Sequence, residues 1–257
     1  MTWTPGWAGR TDVTMRRPER ERPGDRLPRF TRAERWVHHA TALLMLGCLA
    51  TALTLYVPGL STAVGRRDLI RSLHLWCGFA LPVPVLLGLA SRAFRADLRR
   101  LNRFGPHDME WLRRADRRAV RRVGGLERGV VPVGKFNAGQ KLNAAFTAGA
   151  ILVMLGTGAM LAFPDPWPVD VRTGATFVHD WLFLIVAVVT AGHLWYALRD
   201  RGALLGMATG RVDRAWAARH HPAWLDAVEG AVEGAVEGAV EGAPTPPGPA
   251  SAAERDA

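Results

Sequence analysis

The chain has 257 residues, of which 49% are hydrophobic, and its formal net charge at pH 7 is +10. In a soluble protein such a charge would suggest binding to nucleic acid. Here the basic residues lie between long apolar runs, a distribution typical of membrane proteins, so we expect membrane lipid and no nucleic acid as a partner.

The chain begins with a polar segment, residues 1–35, that is rich in Arg and Pro. It lacks the apolar core of a secretory signal peptide, and we expect a disordered cytoplasmic lead. At the other end, residues 227–257 repeat Ala-Val-Glu-Gly and then become rich in Pro, Ala and Ser. Helical or disordered, this low-complexity cytoplasmic tail is expected to carry no chemistry.

Residues 36–226 are predicted to form one membrane domain. Four apolar runs in it are long enough to cross a hydrocarbon core about 30 Å thick. Pro82 and Pro84 should kink the second run. Both cysteines lie inside these runs, so neither a disulfide framework nor a zinc site is expected. The fold class is therefore an all-α integral membrane protein, a four-helix transmembrane bundle, with spans at 37–57, 72–90, 142–163 and 177–198.

The distribution of basic residues predicts the orientation of the spans. The lead, the loop 91–141 and the segment after the fourth span are rich in Arg. The loop after the first span has three Arg, and the loop after the third span has one. Because cytoplasmic loops carry an excess of basic residues, both termini and the long loop are predicted to be cytoplasmic.

Histidines inside the spans are the candidate functional residues, because an ionisable group at membrane depth is costly and usually functional. The fourth span carries His179 and His193. Fourteen helical residues advance about 21 Å and turn the second side chain only about 40° from the first. Both rings should therefore face nearly the same way, one towards each leaflet. Hydrogen-bonded packing is the alternative for a single such histidine.

Each of these two histidines has a partner at matching depth in the predicted topology. His74 begins the second span on the outer side, at the depth of His179, and either His38 or His39 begins the first span on the inner side, at the depth of His193. Facing histidines at equal depth are what bis-imidazole ligation of haem iron needs. Zinc would require three or four ligands at one depth. We therefore predict two stacked b haems.

The motifs around these histidines resemble those of the diheme, cytochrome b561-like cytochrome b556 (gamma) subunit of membrane-bound respiratory formate dehydrogenases, from about residue 29 to about 229. The resemblance rests on sequence around the histidines, on one loop motif and on the C-terminal segment. These pieces are Glu34-Arg35-x-x-His38, Leu73-His74 followed by Gly78, VGKFNAGQK at 133–141, the spacing of His179 and His193, and RAWAARHHPAW at 214–224.

The resemblance implies that His38, and not His39, is the inner ligand. We call His74 and His179 the outer pair, and His38 and His193 the inner pair. Arg35 lies on the helix face of His38, where it would offset a haem propionate or serve only as a basic membrane anchor. His220 and His221 are expected to contact the inner end of the bundle without ligating metal.

The same resemblance implies a site for menaquinone, or another quinone, near the inner haem. Neutral donors suit a quinone carbonyl: the amide of Asn137 and the backbone N–H of Gly139, with Gln140 and Lys135 as second choices. The alternative is that Asn137 only caps the third span.

The implied function is quinone reduction in the bacterial cytoplasmic (inner) membrane, as part of an anaerobic respiratory chain. Electrons would come from an iron–sulfur (beta) subunit, and a molybdenum or tungsten (alpha) subunit would oxidise formate, so no catalytic residue for formate is expected here. One alternative is the cytochrome b subunit of a hydrogenase or another quinone-linked oxidoreductase. A distant one is a haem-free anchor or transporter, but the spans hold few ionisable residues besides His and Asp180.

Overall fold

The computed structural model describes residues 26–120 and 131–241, so residues 1–25 of the predicted lead and 242–257 of the predicted tail lie outside it. The described chain is helical apart from two short strands, β1 (Arg26–Pro28) and β2 (Arg211–Asp213). Its helices are α1 (Arg32–Tyr56), α2 (Pro58–Val64), α3 (Arg67–Ala80), α4 (Val83–Gly88), α5 (Arg92–Leu101), α6 (Pro106–Val120), α7 (Ala138–Ala162), α8 (Val169–Arg199), α9 (Arg201–Thr209), α10 (Arg214–His220) and α11 (Pro222–Glu241).

Four of these segments are long and apolar enough to cross a membrane: α1, α3 together with α4, α7, and α8. Helix α1 packs on α3 and α4, α7 packs on α8, and further contacts join α3 to α7 and α1 to α8. Large apolar side chains such as Leu43, Trp76 and Val188 are exposed on the outside of the bundle. Such a surface suits lipid and not water. The predicted four-helix transmembrane bundle is confirmed.

The helices begin earlier than the apolar runs do. Thr31 and Glu34 form a reciprocal capping box at the start of α1, and Asn137 and Gln140 form another at the start of α7. Each box satisfies backbone N–H groups that have no partner inside the helix. A polar first turn can therefore precede the apolar run, which is why α1 and α7 begin five and four residues before the predicted spans at 37 and 142.

The second span is broken where the two prolines predicted it. Helix α3 ends at Ala80 and α4 begins at Val83. Pro82 and Pro84 have no N–H to donate within a helix, and the ring of each crowds the preceding turn. The break confirms the expected kink.

A small unit covers one end of the bundle. Strand β1 pairs antiparallel with β2, with Leu27 opposite Val212. Buried around this pairing are Val212, Trp216, Ala217 and Leu225. Residues 26–35 belong to the predicted disordered lead, yet they form β1 and the first turn of α1 because β2 supplies the hydrogen-bonding partner. The Ala-Val-Glu-Gly repeat continues α11 as far as Glu241.

Candidate functional site

The structure brings together the histidines of both predicted pairs. In the outer pair, on α3 and α8, the ring centroids lie 6.2 Å apart with an interplanar angle of 72°. In the inner pair, on α1 and α8, the centroids lie 6.3 Å apart at 61°. The ring of His39 lies beside His38, with a centroid distance of 5.5 Å.

These separations fit a metal ion held between two imidazoles. Two coaxial metal–nitrogen bonds of about 2.0 Å, each extended by about 1.1 Å from nitrogen to ring centre, separate the centroids by about 6.2 Å. The outer and inner pairs therefore each have the spacing that bis-histidine ligation of haem iron needs.

A hydrogen bond fixes the ring of His74 from the neighbouring helix α1. Its Nδ1 lies 3.0 Å from Thr51 Oγ1 and 3.2 Å from the backbone oxygen of Cys48. The hydroxyl of Thr51 donates to Gly47 O at 2.7 Å, so its oxygen accepts from the imidazole. The Nδ1–H tautomer leaves Nε2 with the lone pair that a metal requires.

The same arrangement holds His179 from helix α7. Its Nδ1 lies 2.9 Å from Thr157 Oγ1, whose hydroxyl donates to Val153 O at 2.8 Å. A Cβ on the next residue, Gly158, would approach Cε1 of His179 to 3.3 Å, closer than most side-chain contacts. The ring thus fits against a position without a side chain. No pattern in the sequence marked Thr51 or Thr157, because a threonine in an apolar run usually bonds only its own helix.

A cavity of about 290 Å³ lies at the outer pair. Its lining is mainly apolar, and its charged members within the described chain are Arg71 and Asp180. An apolar cavity with few polar groups is typical of cofactor sites. Arg71 stands three residues before His74, as Arg35 stands three residues before His38. This repeated Arg-x-x-His spacing is the sequence signal that could have identified Arg71 as a residue of the outer site.

Arg35 contacts the end of helix α9. Its Nε donates to Met207 O at 2.9 Å, and its Nη2 donates to Ala208 O. A guanidinium is favourable at these carbonyl groups because they form the negative end of the helix dipole. Neither this contact nor its partners were expected from the sequence.

The loop motif at 133–141 contains the predicted quinone donors. In the structure Asn137 caps helix α7, as the alternative reading of this residue expected. Asn137 Oδ1 accepts from Gln140 N at 2.9 Å, and Gln140 Oε1 accepts from Asn137 N at 3.0 Å. These bonds use the amide oxygens and leave both NH₂ groups as donors. A Cβ at Gly139 would lie 3.2 Å from Cη2 of Trp111, so α6 passes close to the start of α7.

Lys135 is buried in an ion-pair cluster next to this cap. Its Nζ lies 3.0 Å from Glu34 Oε1 and pairs also with the carboxylate of Asp97. Burial and a hydrogen bond with Glu34 raise the pKa of Asp97 to about 6, although Lys135 opposes the change. The ammonium therefore joins α1 to α5, and the pKa of the Asp97 carboxyl lies above its ordinary value.

His221 lies between the C-terminal unit and the loop motif and is 2% exposed. Its Nδ1–H donates to Gly134 O at 2.7 Å, and its Nε2 accepts from Arg29 Nη2 at 2.9 Å. Burial, followed by the positive charge of Arg29, lowers the pKa of His221 to about 3. It is thus a neutral histidine that contacts the bundle end. Its neighbour His220 stacks on Trp216 with a centroid distance of 5.1 Å.

A four-helix membrane bundle that presents facing histidines at two depths has the architecture of an integral membrane cytochrome b. The family comparison agrees with this class. The chain belongs to the prokaryotic cytochrome b561 family, whose model matches residues 29–210, and it is accordingly a haem b protein.

The chain is similar to cytochrome b556 subunits of formate dehydrogenases. The nitrate-inducible formate dehydrogenase cytochrome b556(Fdn) subunit of Escherichia coli (strain K12) is 34% identical over 110 residues, which are 42% of this chain. That match spans about half the relative, 51% of its length. The formate dehydrogenase cytochrome b556(fdo) subunit of the same strain is 26% identical over 212 residues, 79% of this chain and 94% of the relative. The formate dehydrogenase cytochrome b556 subunit of Haemophilus influenzae is 28% identical over 103 residues, 39% and 43% of the two chains.

Proposed function

We propose that this chain is the membrane-anchoring, diheme cytochrome b subunit of a formate dehydrogenase, passing electrons to menaquinone or another quinone. The observation that carries the proposal is the equal separation, 6.2 and 6.3 Å, of two histidine pairs that share helix α8. The relatives, whose names describe them as formate dehydrogenase cytochrome b556 subunits, support the choice of complex.

The residues that would hold the haems are the outer pair and the inner pair. When bound, two b haems would supply one-electron transfer between the two sides of the membrane. Helix α8 sets their separation, because its two histidines are about 21 Å apart along the axis. Arg71, three residues before His74 and in the lining of the outer cavity, is proposed to lie towards the haem carboxylates. Arg35, three residues before His38, is engaged instead with the carbonyl groups at the end of α9. The apolar cavity lining excludes water from the outer site.

The quinone is proposed to bind near the inner pair, at the start of α7. The NH₂ groups of Asn137 and Gln140 and the backbone N–H of Gly139 would donate to its carbonyl oxygens. Reducing a quinone to a quinol consumes two electrons and two protons. Asp97, part of the ion-pair cluster next to the cap, can hold a proton near neutral pH because its pKa is about 6.

We propose that the protein lies in the bacterial cytoplasmic membrane with both termini in the cytoplasm. Protons for the quinol would then come from the cytoplasm, and electrons would enter at the outer pair from an iron–sulfur (beta) subunit. Formate oxidation is assigned to a separate molybdenum or tungsten (alpha) subunit. This chain is enzymatic only as the quinone-reducing part of that complex.

The test is a haem count on the purified chain in detergent, with His193→Ala and His74→Ala as variants. We expect two non-covalent, low-spin b haems in the wild type and one in each variant. After reduction by dithionite, added quinone should efficiently reoxidise the wild type and His74→Ala, which keeps the inner haem, but not His193→Ala. Retention of both haems by either variant would contradict the ligand assignment. In membranes that contain the partner subunits, haem reduction by formate supports the proposed complex, and reduction by hydrogen alone indicates a hydrogenase subunit.

A further inference from the structure

Both histidines of the outer pair are hydrogen-bonded to a threonine on a neighbouring helix. Thr51 on α1 lies 3.0 Å from Nδ1 of His74 on α3, and Thr157 on α7 lies 2.9 Å from Nδ1 of His179 on α8. In both helix pairs, therefore, a threonine hydroxyl lies within hydrogen-bond distance of the histidine Nδ1. Among the described residues, no threonine hydroxyl makes the corresponding bond to the inner pair.

The direction of these bonds follows from the other bond of each hydroxyl. Thr51 donates to Gly47 O at 2.7 Å, and Thr157 donates to Val153 O at 2.8 Å. Because a hydroxyl has a single hydrogen, its oxygen must accept from the imidazole Nδ1–H. Both outer ligands are thus held as the tautomer that presents Nε2 to the space between the rings.

Neighbouring threonines show what the same residue does without a histidine. Thr54 on α1 donates to Ala50 O at 2.8 Å, and Thr176 on α8 donates to Arg172 O at 2.9 Å. Their hydroxyls make the same bond to the preceding turn, and among the described contacts neither bonds to a histidine. Thr176 is exposed and Thr54 is half-buried. They provide matched controls for the loss of a hydroxyl from a membrane helix.

We propose that Thr51 and Thr157 are positioning residues that fix the outer ligands and lower the reduction potential of the haem iron bound between them. An imidazole that donates its Nδ1–H to an oxygen gives more electron density through Nε2 and so favours the ferric state. The inner pair has no such threonine bond among the described residues. A lower potential at the outer site favours electron movement from the outer to the inner site. The proposal rests on the haem ligation given under the proposed function.

The two threonines are not equivalent. Nδ1 of His74 has a second acceptor, Cys48 O, at 3.2 Å, whereas the bond from His179 goes to Thr157 alone among the described contacts. Removing the Thr51 hydroxyl leaves His74 an alternative acceptor. The variant at Thr157 should therefore have the larger effect.

The test is a spectroelectrochemical redox titration of the haem-loaded full chain in detergent. Thr51→Val and Thr157→Val remove the hydroxyl and keep the side-chain volume, and Thr51→Ser and Thr157→Ser keep the hydroxyl. We expect one of the two midpoint potentials to rise in the valine variants, more for Thr157→Val, while the other stays constant. The serine variants and the controls Thr54→Val and Thr176→Val should titrate like the wild type.

Unchanged potentials in the Thr51→Val/Thr157→Val double variant with both haems bound would overturn the inference. A rise in the potential of the haem that His193→Ala removes would also overturn it. Loss of one haem from the valine variants, with retention in the serine variants, would support the positioning role. If the wild type binds no haem, or His74→Ala keeps both haems, the proposed function has failed, and that result is distinct from a failure of the threonine inference.

Discussion

Arg29 and His221 are 192 residues apart in the chain, yet Arg29 Nη2 donates to His221 Nε2 at 2.9 Å in a buried position. Arg29 also donates to Lys135 O at 2.7 Å, and His221 donates to Gly134 O at 2.7 Å. Two chain segments from opposite ends thus hold the backbone that leads into the cap of α7. Any quinone bound at that cap depends on this contact for the position of its donors.

The neutral state of His221 makes this contact sensitive to pH. The histidine has a pKa of about 3 in the folded protein and an ordinary value of 6.5. Because folding favours the neutral ring, its stabilisation is complete above pH 6.5 and decreases as the pH falls towards 3. The loss amounts to about 5 kcal/mol at about 1.36 kcal/mol per pH unit. Hydrogen exchange of residues 211–225 should show decreasing protection over this range.

His221→Gln should remove most of that pH dependence, since the amide has no titrating group. His220→Gln is the control, because this neighbouring ring is exposed and stacks on Trp216. A wild-type pH profile in the His221→Gln variant would show that another group controls the contact.

His38 and His39 offer a direct test of which inner histidine is the ligand. The ring of His38 faces His193, while that of His39 lies to one side of it. We expect His38→Ala to lose one haem and to keep the spectrum of the other, and His39→Ala to keep both. The pyridine haemochrome assay gives the haem per chain. Two haems in His38→Ala with one in His39→Ala would reverse the assignment.

Lys135 should be important for stability because it neutralises two buried carboxylates, those of Glu34 and Asp97. Removing one partner of a buried ion pair costs about 3 to 5 kcal/mol. Without Lys135 the Glu34 carboxylate would lose its cation, while Asp97 would keep its ion pair with Arg100 at 2.7 Å. We expect Lys135→Met to lower the unfolding temperature in detergent clearly. The triple variant with Glu34→Gln and Asp97→Asn should recover much of the loss.

Arg214→Met is the control for the lysine variant. Arg214 pairs with Glu229 at 2.8 Å at the surface, where its side chain is 59% exposed. Exposed pairs contribute at most about 1 kcal/mol. An equal loss of stability in Lys135→Met and Arg214→Met would contradict the role of the buried cluster.

Asn137 has two functions that one substitution separates. Its Oδ1 caps α7, and its NH₂ group is the proposed quinone donor. Serine is an equally good cap but has no amide, whereas alanine loses the cap at a cost of about 1 kcal/mol. We expect Asn137→Ser to keep the unfolding temperature and to raise the KM for quinone. Asn137→Ala should both lower the unfolding temperature and raise the KM for quinone. An unchanged KM in Asn137→Ser would remove the amide from the site.

Several features of the fold were predictable from the sequence because they depend on local physics. The four spans follow from the length of the apolar runs, and the break at Ala80–Val83 follows from two prolines without N–H groups. That His179 and His193 face nearly the same way follows from helical periodicity, and the meeting of each with its partner follows from the alternating direction of consecutive spans. None of these features needs a contact between distant segments.

The partners of individual polar side chains needed the tertiary structure. Lys135 was a possible quinone donor in the sequence, and in the structure it pairs with carboxylates on α1 and α5. From the sequence, Arg35 could offset a haem propionate or serve as a basic membrane anchor, and in the structure it contacts the end of α9. The sequence shows that such groups exist near a site but does not show which of several distant segments supplies their partner.

The sequence by itself determined the membrane class, the four spans and the spacing of the two histidines on the fourth span, since apolar length and helical periodicity are properties of single segments. Only the tertiary structure decided that Thr51 and Thr157 hold the outer pair and that Arg29 and His221 hold the loop before α7. Those bonds join segments between 22 and 192 residues apart. Their geometry depends on how the helices pack, which no local pattern of residues specifies.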